Sequence, residues 1–288
     1  MNHKQSFFIL LFCFFISLFL LAFAEVYKDE VVFVSLNEEG QAQHVFVINA
    51  FEADEQTEVT DRGVYQAVQP LAEADNFSYQ DNQVRFTMPK GRFSYQGNLD
   101  NTELPWDFQL SYALNGKEVK ASELSGANGK LEATLRVAIN EGLRAFAEGL
   151  SLQITFTLDG ARVLNIQAEK ATYALSGGSR TLSFVVLPGQ NAEYSFSCDV
   201  VNFMMEDVQI AAVRMGMDTE MYQQVAANSL AGSPLEGAVS GLMGNMMQTM
   251  QGRALRSFTD KENQVRALQF VMMLRGVKAP DAAETTAP

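Results

Sequence analysis

"GKLEATLRVAI", residues 129–139, decides the fold class. Leu131, Ala133, Leu135, Val137 and Ile139 fall on one face of an extended chain, and Glu132, Thr134, Arg136 and Ala138 on the other. A period of two means a half-buried strand, and an apolar face this regular needs a second sheet to cover it.

The same period dominates outward from this stretch, from Glu30 to Gly216. "VVFVSL" and "QHVFVINAF" flank Asn37–Gly40 and read as a hairpin; "DFQLSYAL" and "KEVK" flank Asn115-Gly116, a dipeptide that accepts the positive φ angles of a type I′ turn. "LSLQITFTL" and "ARVLNIQA" repeat the pattern around Asp159-Gly160 and predict a further hairpin, while "TLSFVVLPGQNAEYSFSCDVVNF" supplies two alternating runs joined by a Pro-Gly loop. "SGGSR", Ser176 to Arg180, reads as a hairpin tip. Short strands at this spacing from Trp106 onward predict an immunoglobulin-like β-sandwich over residues 90–214, preceded by a smaller β unit over 25–89.

After Gly216 the pattern changes. Leu235, Val239, Leu242, Met243, Met246, Met247 and Met250 recur at helical spacing, so residues 215–256 predict an amphipathic, Met-rich helical segment opening at Ser233-Pro234. "NQVRALQFVMMLRG" returns to strand character, and a strand over 257–277 is expected to pair with the β region, leaving 278–288 as a disordered polar tail.

The N-terminus places Lys4 before an unbroken apolar run that closes on Ala22-Phe23-Ala24. This predicts a signal peptide over 1–24, cleaved after Ala24, with a retained N-terminal anchor as the alternative and membrane association only in that case. The body is therefore expected to be exported, extracellular or associated with the cell envelope. The chain carries a net charge of −13 with no basic stripe, which argues against nucleic acid as a partner. Past residue 24, Cys198 is the one cysteine and His44 the one histidine, too few for an internal disulfide or a Cys/His zinc site. Cys198 alternates with Tyr194, Phe196 and Val200 as a core residue.

The acids Glu52, Asp54, Glu55, Glu58 and Asp61 lack the ligand spacing and glycine of a calcium loop and read as a solvated loop. No catalytic, metal-binding or cofactor-binding constellation stands out, so a non-enzymatic role is expected. Two contact surfaces are candidates. The first is the stripe Leu242, Met243, Met246, Met247 and Met250, flexible side chains suited to a protein partner in the envelope. The second is an aromatic face of Tyr79, Tyr95 and Trp106 that would bind, or help cleave, wall glycans; Trp106 after Pro105 equally suits a core plug between two sheets.

Several segments taken in order resemble a family of uncharacterised exported envelope proteins of Gram-positive bacteria. They are "FSYQG" (Phe93 to Gly97), Leu104-Pro105-Trp106, Leu114 to Lys117, and Glu123 to Gly129 with Asn128 in the place of a serine. "KDEVVFVSLNEEGQ", "VTDRGVYQAV", "VLPGQ…CDVVNF" and "SFTDKENQVRALQFVM" are similar too. Members commonly carry x-x-x-Leu-x-x-Gly heptads before the last segment and a membrane span after it. Here Leu235/Leu242 and Gly237/Gly244 repeat at seven with the wrong Leu-to-Gly spacing, and no apolar span follows. The resemblance implies an envelope protein acting as an interaction scaffold, and it brings no catalytic residue.

Overall fold

The computed structural model describes residues 25–100, 103–214 and 255–278. The N-terminal apolar run, the methionine stripe and the C-terminal tail lie outside them.

The strands are β1 (Val26–Leu36), β2 (Ala42–Ala53), β3 (Thr57–Arg62), β4 (Ala67–Pro70), β5 (Asp75–Gln80), β6 (Gln83–Met88) and β7 (Gly91–Leu99). There follow β8 (Trp106–Leu114), β9 (Lys117–Val119), β10 (Gly129–Ile139), β11 (Ser151–Asp159), β12 (Val163–Gln167), β13 (Thr172–Ser176), β14 (Ser179–Val186), β15 (Ala192–Val200) and β16 (Val208–Val213). The last are β17 (Leu255–Arg256), β18 (Gln264–Val265) and β19 (Ala267–Leu274). Two layers form the body: a nine-stranded sheet, β13-β14-β11-β16-β19-β1-β2-β7-β4, and a five-stranded sheet, β12-β15-β10-β8-β9. A three-stranded sheet, β3-β6-β5, covers the far end of β2 and β7.

The protein is thus mainly β and built as packed sheets, but the boundary expected at 89/90 is not a sheet boundary. β1, β2, β4 and β7 continue the same sheet as β11, β14 and β16, and β19 makes the join. It runs parallel to β1 (Val32 beside Phe270) and antiparallel to β16 (Ile210 beside Met272). Its Leu268, Phe270, Met272 and Leu274 are all buried.

β10 sits centrally in the smaller layer, with Leu131, Ala133, Leu135 and Val137 facing the core between β8 and β15. The Asn115-Gly116 turn joining β8 and β9 has φ of 53° and 78°, the pair of positive angles its residues allow. The expected hairpin at Asp159-Gly160 does not form. β11 pairs with β14 and β16 in one layer and β12 pairs with β15 in the other. Asp159 accepts from the Ala161 N–H and from Arg162 Nε, turning the chain across the sandwich, where Val163 is buried.

The large sheet serves two cores with one face. On β2, Val45 and Val47 pack on the five-stranded layer, while Phe51 and Ala53 pack with Phe86, Met88, Phe93 and Tyr95 under the three-stranded sheet. Between them, in the same inward phase, stands Asn49, directly opposite Glu30 of β1. Both are fully buried.

Candidate functional site

The seam between the two cores is a buried polar clasp. On β1 the inward-facing residues run Lys28, Glu30, Val32, Val34 and Leu36, so the strand itself carries a cation and an anion into the interior. Lys28 Nζ lies 2.8 Å from Glu30 Oε1 and 2.7 Å from Asp61 Oδ2, Asp61 arriving from β3. Glu30 also accepts from Ser257 Oγ (2.5 Å), the Phe258 N–H (2.7 Å) and Thr259 Oγ1 (2.9 Å), which fixes the stretch between β17 and β18. Ser257 Oγ in turn accepts from the N–H groups of Thr259 and Asp260, so its one proton goes to Glu30.

The direction of the remaining bonds follows from Asp61, which as a carboxylate only accepts. Tyr95 Oη donates to it at 2.5 Å and so accepts from Tyr65 Oη at 3.3 Å, which accepts from Asn49 Nδ2 at 3.1 Å. This order leaves Asn49 Oδ1 buried with no donor. Glycine makes room for the Tyr65 ring: a Cβ on Gly97 would lie 2.3 Å from its Cε1, and one on Gly63 2.4 Å from its Cζ.

Electrostatics work against a nucleophilic role for the lysine and the tyrosines of the clasp. Burial alone would lower the Lys28 ammonium, but the carboxylates of Glu30 and Asp61 outweigh it and raise the pKa, which disfavours the free amine a nucleophilic lysine needs. Burial raises Tyr65, and burial together with Asp61 raises Tyr95 much further. Elsewhere, burial and the neighbouring Asp199 push the Cys198 thiol up to about 12, far from a reactive thiolate.

The sequence-predicted residues fall as follows. Asp61, expected in a solvated loop, is a buried ion-pair member on a strand, because the solvent-facing phase of β3 belongs to Glu58, Thr60 and Arg62. The glycan face is not formed. Tyr95 is fully buried in the clasp; Trp106 is buried in the other core, edge-on to Phe270 across the two layers with ring centroids 5.5 Å apart. Tyr79 is half-buried, its Oη held by the Tyr65 N–H and donating to Gly63 O. Leu242, Met243, Met246, Met247 and Met250 lie outside the described residues.

Two open depressions flank the three-stranded sheet. One of about 310 Å³ runs past Arg62, Val64, Asn82 and Thr259, and one of about 800 Å³ past Leu71, Glu73, Asp75 and Pro89. Neither draws in a buried charged side chain of the clasp.

The sheet edges differ from one another. Free backbone edges invite pairing with other chains, and charges, prolines, bulges or shortness blunt them. β4 carries Pro70, three-residue β9 carries Lys117 and Glu118, and β12 has a register shift with Asn165 at φ 49°. β13, "TYALS", has no charge, proline or bulge and keeps an uninterrupted register with β14. Its Tyr173 and Leu175 are 51% and 82% exposed, on the same sheet face as buried Leu182.

No family model matches the chain, and no curated protein matches it. Among solved structures it is similar to the μ-homology domain of Fcho1 from Danio rerio with a bound Eps15 peptide, at 9% identity and a TM-score of 0.42, covering 87% of this chain and 96% of that one. It is also similar to the yeast δ-COP-I μ-homology domain complexed with a Dsl1 WxWxV peptide, at 9% identity and a TM-score of 0.40, covering 88% of this chain and 97% of that one. At this level of similarity neither the topology nor the role of those domains transfers to this chain.

Proposed function

We propose that this protein is an exported, non-enzymatic scaffold of the cell envelope whose rigid β body offers a sheet edge to another protein. The observation that carries the reading is β13, the unblunted edge of the nine-stranded sheet, with Leu175 82% exposed on it. Among the described residues no strand pairs with the outer side of β13, and an apolar, uncharged strand in that position is a template for strand addition. The N-terminal apolar run and the resemblance to exported envelope proteins support the location. Four stretches behind that resemblance supply the clasp: Lys28 and Glu30, Asp61 and Tyr65, Tyr95, and Ser257 with Thr259. Within the scaffold we read β8–β16 as the immunoglobulin-like part, and the stripe from Leu242 to Met250 as a second contact.

A photo-reactive amino acid at Leu175, with Glu118 on β9 as control position, tests the reading in cells making the full chain. The expected result is a protein adduct at residue 175 alone, on chains that protease added to intact cells can digest. No adduct at 175, equal adducts at both positions, or protection from the protease would refute it.

A further inference from the structure

We propose that the partner at this edge is a second copy of the chain, the two β13 strands pairing antiparallel about a two-fold axis through Ala174. The proposal deepens the reading above and rests on it. Its first support is backbone direction. Gly177 and Gly178 form a two-residue turn closed by the pair Ser176 and Ser179, and the Gly160 N–H donates to Gly178 O from the other side of the hairpin. Even-numbered residues of β14 therefore direct their backbone groups to β11 and odd-numbered ones to β13, as antiparallel alternation requires. Thr181 and Ser183 engage Ala174 and Thr172, which leaves the N–H and C=O of Tyr173 and Leu175 pointing outward.

The second support is the palindromic character of the strand. A two-fold axis at Ala174 sets Tyr173 opposite Leu175 of the second copy, Leu175 opposite Tyr173 of the second copy, and Thr172 opposite Ser176 of the second copy. The residues with outward backbone groups are then those that face each other, so each Tyr–Leu pair exchanges two hydrogen bonds. Ala174 meets its own copy in a non-hydrogen-bonded pair, where side chains come closest and a methyl group fits. Tyr173 and Leu175 of both copies come side by side on the face of Leu182, with Arg180 beside Leu175 at the margin, which suits aromatic–aliphatic cross-strand packing.

The third support is charge. Each chain carries −13, so most surfaces repel their own copy, yet β13 has no side chain charged at neutral pH and the adjoining stretch of β14 adds only Arg180. An isologous contact here brings together no like carboxylates, and association should strengthen as salt screens the rest.

Sedimentation of the full mature chain across a wide concentration range, with and without added salt, is the first readout. Leu175→Lys changes an exposed side chain and should weaken the dimer roughly tenfold or more. Ala174→Cys should form an intermolecular disulfide under mild oxidation, since non-hydrogen-bonded partners sit about 4.5 Å apart at Cα, within disulfide reach. Glu118→Cys on β9 should not. Buried Cys198 does not compete. A dimer that ignores Leu175→Lys and gives no Ala174→Cys cross-link overturns the proposal. So does a monomer at every concentration; if residue 175 then still captures a different protein in cells, the scaffold reading stands without the dimer, and if it captures nothing, both fall.

Discussion

Replacing Lys28 by methionine removes the only cation among the described residues in contact with Glu30 and Asp61 in the clasp, while keeping an unbranched side chain one atom shorter. Both carboxylates, 0% and 4% exposed, then face each other's charge with no neutralising group. Removing one partner of a buried ion pair costs about 3–5 kcal/mol, a large share of the roughly 5–15 kcal/mol that holds a typical domain folded. The assay is urea unfolding followed by the fluorescence of Trp106, buried against Phe270 and the sole tryptophan of the chain. At about 2–3 kcal/mol per molar urea, the midpoint should fall by roughly 1–2 M. Lys28→Met with Asp61→Asn should be less damaging than the two single costs added together, because the pair is removed as a unit. A change within about 0.5 kcal/mol, typical of surface sites, or strict additivity with Asp61→Asn would refute the role given to the clasp.

Alkaline pH should unfold the chain by linkage. Cys198 at about 12 against an ordinary 9.0, the raised phenols of Tyr65, Tyr95 and Tyr112 against 10.0, and raised Lys28 against 10.5 all keep their protons in the folded chain after the unfolded chain has lost them. The stability these groups contribute is fully present below pH 9 and is lost as pH rises from there, by up to about 1.4 kcal/mol per pH unit for each group; a flat urea midpoint up to pH 12 would contradict this. Gly97→Ala should drive the Tyr65 ring from its slot and cost about 1–3 kcal/mol, read as a lower melting temperature and an altered tyrosine signal in near-ultraviolet circular dichroism. Ser257→Ala removes one donor to Glu30 and should cost about 1 kcal/mol, with hydrogen exchange rising selectively across residues 257–266. Truncation at Gln251 deletes β19 from the middle of the large sheet; its four buried apolar side chains, at about 1.5–3 kcal/mol each, amount to most of a typical domain's stability, so the shortened chain should fail to melt cooperatively.

What the sequence shows and what it hides divide along physical lines. The alternation in Gly129–Ile139 and the Asn115-Gly116 turn are local, and both stand in the structure as read. Asp159-Gly160 looks equally local, but a tight turn reports only that the chain reverses. Whether β11 and β12 then pair or part into opposite layers depends on partners at residues 179–186 and 192–200. The joining of the N-terminal strands to the sandwich depends on β19, more than two hundred residues from β1, and no periodicity carries that information.

The clasp is a different case, because part of its signal is in the sequence. Lys28 and Glu30 occupy the same phase as Val32, Val34 and Leu36, so a reading that begins the strand at Val31 discards them, while one that extends the period backwards places two opposite charges inside the sheet. A Lys–Glu pair two residues apart on one buried face already neutralises itself. The third ion, Asp61, was hidden because Thr57, Val59 and Asp61 make a weak apolar stripe among many acids. Yet the carboxylate of Glu30 has more lone pairs than one ammonium fills, and burial requires donors for them. Ser257, Phe258 and Thr259 meet that requirement, and the same requirement ties the C-terminal segment to the first strand. Charged residues in the buried phase of a strand therefore predict that a distant, donor-rich segment closes over them, even where its identity must come from the fold.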